Sequence, residues 1–316
     1  MSVINRAVCH LYKNRKYGEL SALYKLFHER VGEAIKAELS QTLQLRNSER
    51  EFDKVYVDLN WIDKIPLASF VNKQLDLNGN EIKNKTELGD MFIQFRQSCV
   101  YIKDNQEDVH PIGHKALVVQ AKISSVDNPK VPIGYVNKKR ANSTSKELKL
   151  LEDWPTFDMY ETSRNSQALC ENISVQTGTV PFSFYGGFSN KSKSWFFGEA
   201  KNLEVCEKTF SEIIVDLAKG KIGKEVKSDK AWNDVTSHIT QVCKNRKLPK
   251  SIANKIETRH KEKKIHGRRF YSFPEPLFYL IHRVWEKLLA FICGKKMLVI
   301  SIDVVRYEGQ NLNLYR

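Results

Sequence analysis

Three short apolar runs constrain the fold most strongly, because each has the composition of a buried strand. They are MFIQFR at 91–96, the ALVV of HKALVVQAK at 114–122, and MLVISIDVV at 297–305. A solid apolar run such as ALVV is typical of a strand that is covered on both faces. Together with the helical periodicity below, these strands predict an α/β fold.

The longest periodic segment predicts an amphipathic helix from about Leu20 to Leu39, since apolar residues recur every three or four positions. Glu38 falls in the middle of the apolar stripe, whereas Glu29 and Glu33 fall on the opposite side. A carboxylate on a buried face needs a partner or a metal ion. The alternative is that the helix has frayed or ended before Glu38.

The region from 54 to 125 reads mainly as strands and turns. KVYVDLNWI alternates like a strand, and LDLNGNE marks a turn around Asn78 and Gly79. MFIQFR and CVYI predict two strands of a ribbon, and HKALVVQAK predicts a third. The polar insert KDNQEDVHPIGH is expected to connect the last two strands.

Two further segments have clear local signals. KELKLLEDW predicts a short helix that Pro155 ends. VPFSFYGGFSNKSKSWFFGEAK predicts strand, loop and strand, with the pair Gly186 and Gly187 at a tight turn or a mobile flap.

The carboxyl-terminal part is strongly basic. The charge peak lies at 244–270, and a buried helix is expected near 276–293 with Gly294 as its C-cap. Charged residues in the middle of that helix argue against a membrane span. With no sharp linker, the chain is interpreted as a core at 1–170 and a basic lobe at 171–316, either separate or continuous with the core.

The net charge indicates the class of binding partner, and the cysteine content indicates the cellular compartment. A formal net charge of +14 and a pI near 9.4 favour a polyanionic partner, although many basic proteins bind no nucleic acid specifically. The six cysteines contain no C-x-x-C pair, and the amino terminus has no secretory signal, so a reduced cytoplasmic protein is expected. The sequence also lacks a G-x-x-x-x-G-K-[ST] loop and a G-x-S-x-G elbow, which disfavours an ATPase and a serine hydrolase.

Other polar residues have weaker functional signals. His110 and His114 are four residues apart, but Pro111 and Gly113 argue against the helix that would let them share a zinc ion, so a pair in a loop that binds no zinc is the favoured interpretation. Asp303 lies in an apolar strand, where a bond to the backbone is the favoured interpretation over a second acidic site.

The Q-A-K triplet at 120–122 carries the sharpest chemical signal. Alternate strand residues face the same side, so Gln120 and Lys122 project together, while the carbonyl of Ala121 remains a hard oxygen ligand. Phosphodiester hydrolysis needs a group that neutralises developing charge and activates water, and carboxylate-bound Mg²⁺ does both. The alternative is a hairpin whose Lys122 caps a solvated strand end.

The pattern GDMFIQFR followed by KALVVQAK resembles the core of the PD-(D/E)xK nuclease superfamily, in its variant with glutamine in place of the last acid, over residues 19–125. The resemblance implies a restriction-endonuclease-like mixed central sheet flanked by helices, with a basic α+β carboxyl-terminal extension. By this resemblance Asp90, Gln120 and the Ala121 carbonyl bind the metal, and Lys122 orients water or stabilises the transition state. Glu38 supplies the helix glutamate, with Glu33 as the alternative. Gly89 replaces the proline of the motif name.

The resemblance implies a Mg²⁺-dependent endonuclease, with Mn²⁺ as an alternative ion, that cuts DNA in bacterial defence against foreign nucleic acid. RNA is the alternative substrate, and a homodimer or a defence-system partner protein is the implied assembly. The rival hypothesis is a non-catalytic subunit that binds nucleic acid or a partner. Basic residues expected to contact nucleic acid are Lys191, Lys193, Lys261, Lys263, Lys264, Arg268 and Arg269.

Overall fold

A mixed β-sheet forms the centre of the structure, and helices pack on its faces. The computed structural model describes residues 1–12, 15–48, 51–62, 66–103, 106–137, 139–161, 167–246 and 297–309, with side chains described except at 242–246. The predicted helix at 276–293 and nearly all of the basic segment at 244–270 lie outside these residues. Within them, no helix is long and apolar enough to cross a membrane.

The described elements are six α-helices, one 3₁₀ helix and twelve strands. The helices are α1 (Val3–Leu11), α2 (Glu19–Leu26), α3 (Glu29–Thr42), α4 (Ser143–Asp153), α5 (Phe210–Ala218) and α6 (Lys230–Arg246), with the 3₁₀ helix at Val226–Ser228. The strands are β1 (Glu51–Ile62), β2 (Leu67–Phe70), β3 (Thr86–Glu87), β4 (Met91–Lys103), β5 (Gln106–Ser124), β6 (Phe157–Tyr160), β7 (Cys170–Ile173), β8 (Ser183–Ser189), β9 (Ser194–Glu199), β10 (Lys208–Thr209), β11 (Lys224–Glu225) and β12 (Met297–Gly309).

The large sheet has the order β1, β12, β4, β5, β8, β9, β10, and β11 pairs with β5. The pairs β12–β4 and β5–β8 are parallel, and the other pairs are antiparallel. A smaller sheet has the order β3, β2, β6, β7. The α/β prediction with a mixed sheet is therefore confirmed, and strands from both sides of residue 170 share the large sheet.

The hairpin of β4 and β5 is longer than predicted. MFIQFR and CVYI form one strand of 13 residues, and most of the predicted connecting loop belongs to a β5 of 19 residues. A β-bulge near Gln97 absorbs the irregular pairing. Pairing of β4 with β12 from Met91 to Ile102 provides hydrogen-bond partners for the backbone of β4 in this polar region, so an apolar pattern is not needed there.

The predicted helix at 20–39 is two helices, α2 and α3, which are separated at Phe27 and His28. His28 is the N-cap of α3, and its Nδ1 accepts a hydrogen bond from the Arg30 amide at 3.2 Å. The apolar period continues across the break because both helices bury residues in the same core, namely Leu23, Leu26, Val31, Ile35 and Leu39.

The two faces of the large sheet meet different helices. A Cβ added at Gly32 of α3 would lie 3.8 Å from Val57, which shares its face with Ile302 and Phe95 through the strand register. On the opposite face, the Tyr185 hydroxyl donates to the Thr144 carbonyl at the start of α4. Because Tyr185 pairs with Gln120, the side chain of Gln120 also faces α4.

The β8–β9 hairpin confirms the predicted strand, loop and strand, but its turn is at 190–193 rather than at the two glycines. Gly186 and Gly187 lie inside β8, fully paired on both sides. A Cβ on Gly187 would lie 2.6 Å from Pro129 Cγ and 2.8 Å from Ile133 Cδ1. Glycine is therefore needed for close packing of the segment that follows β5.

We expect Gly187→Ala to destabilise the protein by about 1–3 kcal/mol, because the new methyl group overlaps Pro129 and Ile133. Urea-induced unfolding measures this change. Gly178→Ala is the matched control, since a Cβ there meets nothing within 4 Å. Equal stabilities for the two variants would contradict the packing interpretation.

Candidate active site

Asp90 is held rigidly at the start of β4. Its amide donates to the Val119 carbonyl at 2.9 Å, and its own carbonyl accepts from the Leu298 amide at 2.9 Å. The preceding Gly89 has a φ of 151°, and a Cβ there would lie 3.1 Å from the Val119 carbonyl oxygen. The chain therefore enters the strand between β5 and β12 along a path that favours glycine.

The Asp90 carboxylate contacts the Q-A-K triplet on β5 directly. Its Oδ2 accepts hydrogen bonds from the side-chain amide of Gln120 and from the backbone N–H of Ala121, the latter at 2.9 Å. The N–H and C=O of a strand residue point to the same edge, so the Ala121 carbonyl also faces Asp90. Two neighbouring strands thus bring three candidate oxygen ligands together.

Lys122 completes the cluster and is paired with two carboxylates from helices. Its Nζ lies 2.9 Å from Glu147 Oε2 of α4 and 3.8 Å from Glu19 Oε2 of α2. The side chains of Lys122 and Glu147 are 13% and 3% exposed, so this ion pair is buried. We call Asp90, Gln120, Lys122, Glu19 and Glu147 the acidic cluster.

Burial and charge shift the titration of the acidic cluster. Burial raises the pKa of Asp90 well above its ordinary value, and the nearby carboxylates of Glu19 and Glu147 act in the same direction. Burial alone would lower the pKa of Lys122, but the carboxylates of Glu19, Glu147 and Asp90 together raise it. Lys122 is therefore a fixed cation in an anionic pocket.

The oxygen atoms around Asp90 are of types that hard divalent cations prefer. Gln120 Oε1 is buried and has no hydrogen-bond partner in the described part of the chain. Asp90, the Ala121 carbonyl and this amide oxygen are the ligand types that Mg²⁺ prefers. The described residues contain no group of three or more His, Cys, Asp or Glu side chains placed to hold a metal. One carboxylate with neutral oxygens remains compatible with Mg²⁺, which usually keeps several waters and uses substrate phosphates as ligands.

Glu38 does not contact the acidic cluster, which corrects the prediction that it supplies the helix glutamate. Its carboxylate accepts hydrogen bonds from the Ile4 amide at 2.8 Å and from the Ser211 hydroxyl. These groups belong to the first turns of α1 and α5, where backbone N–H groups have no partner inside the helix. The inward position of Glu38 is explained by this contact, and the alternative residue Glu33 is exposed.

Glu19 and Glu147 were not identified from the sequence as site residues. Glu19 is the first residue of α2, where an acidic residue is also common simply because it stabilises the helix. Glu147 carried a clearer signal, because it lies on the buried stripe of α4 with Thr144, Leu148 and Leu151. A charged residue in such a stripe indicates a buried partner, which is Lys122.

The two histidines lie in β5 rather than in a loop, and they have separate partners. His110 Nε2 lies 2.8 Å from Asp108 Oδ2, and His114 Nε2 lies 3.0 Å from Gln94 Oε1. Asp303 forms two bonds to the Arg96 guanidinium, at 2.6 and 2.7 Å, so its partner is a side chain rather than the predicted backbone.

His114 is expected to make folding sensitive to acid. Burial, with a smaller effect of the Arg96 charge, lowers its pKa from 6.5 to about 4. In this pH range His114 binds a proton in the unfolded chain but not in the folded protein. The free energy of unfolding therefore falls as the pH drops from about 6.5 towards 4. When the pH is lowered from 7 to 5, the free energy of unfolding of the wild type should fall by about 1 kcal/mol more than that of His114→Gln. This value is smaller than the full pKa shift implies, because solvent screens the charge at this half-buried site.

Urea unfolding at the two pH values measures the effect, and His110→Gln is the control because His110 is exposed on the same strand. Equal losses of unfolding free energy for His114→Gln and the wild type between pH 7 and pH 5 would contradict the lowered pKa of His114.

The residues predicted to contact nucleic acid divide into three groups. Lys191 is exposed in the β8–β9 turn. Lys193 Nζ donates to the carbonyls of Arg15 and Asn190 at 2.7 and 2.6 Å, so it braces the turn. The other five, Lys261, Lys263, Lys264, Arg268 and Arg269, lie outside the described residues.

Neither a family model, nor a curated protein, nor a solved structure matches this chain. The interpretation of the acidic cluster therefore depends on its geometry and charge.

Proposed function

We propose that this protein is a divalent-metal-dependent endonuclease that hydrolyses phosphodiester bonds in DNA, in defence against foreign nucleic acid. The observation that carries the proposal is the contact of Asp90 with Gln120 and Ala121, with Lys122 projecting from the same strand face. The defence setting comes from the resemblance to restriction-like nucleases, and RNA is the alternative substrate of the same site.

The charge of the acidic cluster supports a cation with two positive charges. Asp90, Glu19 and Glu147 bring three carboxylates to the acidic cluster, and the ammonium group of Lys122 in the same cluster pairs with Glu147 and Glu19. Burial raises the pKa of Asp90, and the negative charges of Glu19 and Glu147 add to this shift. A bound divalent ion would neutralise the excess of negative charge and return Asp90 to its ionised form.

Asp90, the Gln120 amide oxygen and the Ala121 carbonyl would hold the ion. The ion would supply a more acidic water and neutralise charge on the phosphate. The chain contributes the fixed positions of these oxygens, because backbone hydrogen bonds clamp Asp90 between β5 and β12. Such preorganisation avoids a reorganisation cost during the reaction.

Lys122 would stabilise the negative charge that develops on the phosphate in the transition state. Its raised pKa keeps it protonated at neutral pH, so it acts as a fixed positive charge rather than as a base. Glu147 and Glu19 hold the ammonium group near Asp90. These two carboxylates are positioning residues in this scheme.

The test is incubation of the purified chain with plasmid DNA, single-stranded DNA and RNA in Mg²⁺ or Mn²⁺, with EDTA as control. We expect cleavage that EDTA stops. A gel shift without cleavage in either metal would contradict the proposal and favour a non-catalytic nucleic-acid-binding subunit.

A further inference from the structure

The described residues that follow β5, 125–137 and 139–142, pass beside the acidic cluster. We call them the mouth loop. A Cβ added at Gly134 would lie 4.0 Å from Lys122 Cδ and 3.1 Å from Thr144 Oγ1. The mouth loop therefore runs along the stem of Lys122, between β5 and α4.

Backbone bonds and buried side chains fix the mouth loop in place. Pro129, Val131 and Ile133 are buried. The Val131 amide donates to the Glu204 carbonyl at 3.0 Å, and the Cys206 amide donates to the Pro129 carbonyl at 2.8 Å. The half of the loop nearest β5 is thus anchored to the segment that follows β9, and a ligand there would not have to order it.

The half nearest α4 is also tied down, at the point where its aromatic residue is exposed. The Asn142 side chain donates to the Tyr135 carbonyl at 2.8 Å, and the Asn78 side chain donates to the Asn137 carbonyl at 2.7 Å. Tyr135 is nevertheless 78% exposed, more than any other large apolar side chain in the described residues. Its backbone is held while its ring faces solvent.

The mouth loop is also positively charged. Lys130, Lys139 and Arg140 are exposed. No acidic residue occurs in the sequence between Asn128 and Lys146. A single exposed tyrosine on a protein surface is ordinary. Tyr135, however, has an anchored backbone, lies among exposed cations and is close to the buried Lys122 and its carboxylates. This combination of an aromatic ring and cations is typical of a surface that binds a nucleic-acid strand.

We infer that the mouth loop binds the polynucleotide strand that is cut, with Tyr135 stacked on an unpaired base and Lys139 and Arg140 in contact with phosphates. The inference rests on the proposed function, because it places the strand next to Lys122. It adds a substrate class: the strand is single-stranded or locally unpaired at the site, since an aromatic ring can stack only on a base whose face is free.

Fluorescence anisotropy with labelled single-stranded and duplex oligonucleotides in EDTA measures binding without cleavage. We expect Tyr135→Ala to bind single strands about tenfold more weakly, as the loss of one stacked base predicts. Tyr135→Phe keeps the ring and should bind like the wild type. Lys139→Ala with Arg140→Ala should lower the slope of log Kd against log salt by about 1.4, the value for two phosphate contacts on a single strand.

Tyr101→Ala is the matched control, because Tyr101 is also exposed but lies about 35 Å away along β4 from Asp90. It should bind like the wild type. The inference is overturned if Tyr135→Ala binds single strands as tightly as this control, or if it loses as much affinity for duplex as for single strands. These binding assays contain no metal, so their result is independent of the cleavage assay. The mouth-loop inference can fail while the wild type still cleaves in Mg²⁺. Conversely, Tyr135→Ala can lose binding even if the wild type shows no cleavage.

Discussion

Replacing Lys122 with alanine is expected to reduce phosphodiester cleavage by a factor of about 100 to 1,000 or more, as the loss of a preorganised charge in an active site does. Asp90→Ala should do the same, because it removes the only carboxylate that contacts both Gln120 and Ala121 among the described residues. Both variants should keep most nucleic-acid binding, which depends on surface cations. Cleavage rates in Mg²⁺ and anisotropy in EDTA measure the two properties.

Lys115→Ala is the control for these variants. Lys115 is in the same strand as Lys122 but on the opposite face, where its Nζ donates to the Gly220 carbonyl at 3.3 Å. It should keep wild-type cleavage. Thermal unfolding of all variants shows whether a loss of activity comes from the missing side chain or from unfolding of the protein. Full activity in a folded Lys122→Ala, Asp90→Ala double variant would exclude the acidic cluster as the active site.

Glu147→Ala is expected to lower the free energy of unfolding by about 3–5 kcal/mol, since it leaves Lys122 buried without its nearest carboxylate. Adding Lys122→Met should recover much of this loss, because the uncompensated charge is then gone. Urea unfolding of the two single variants and the double variant gives the coupling energy.

Asp153→Ala on the same helix is the matched control. Asp153 pairs with Lys149 at 2.5 Å, but this pair is more exposed, so its loss should cost less than about 1 kcal/mol. Equal losses for Glu147→Ala and Asp153→Ala would show that the buried pair does not stabilise the fold as described.

The central contact could be predicted from the sequence because it depends on local alternation along strands. Gln120 and Lys122 are two positions apart on an apolar strand, and Asp90 heads the strand before it, so pairing of the two strands brings them together. The length of the hairpin could not be predicted, since its polar half is ordered by pairing with β12, which is far away in the chain.

The identity of the helix carboxylate near Lys122 could not be predicted, because it depends on contacts between residues that are far apart in the chain. The stripe argument placed Glu38 towards the interior, and it does have buried partners, but these are the starts of α1 and α5. Glu19, which reaches Lys122, is the first residue of α2 and does not belong to the helix that contains Glu38. A sequence shows that a carboxylate needs a partner, but not which distant helix end or lysine provides it.

Calorimetric titration with Mn²⁺ decides whether the acidic cluster holds a divalent cation. We expect the wild type and Lys115→Ala to bind Mn²⁺ alike, and Asp90→Ala to show little or no binding at the same protein concentration. Identical titration curves for Asp90→Ala and the wild type would contradict a metal site at Asp90, and with it the proposed nuclease.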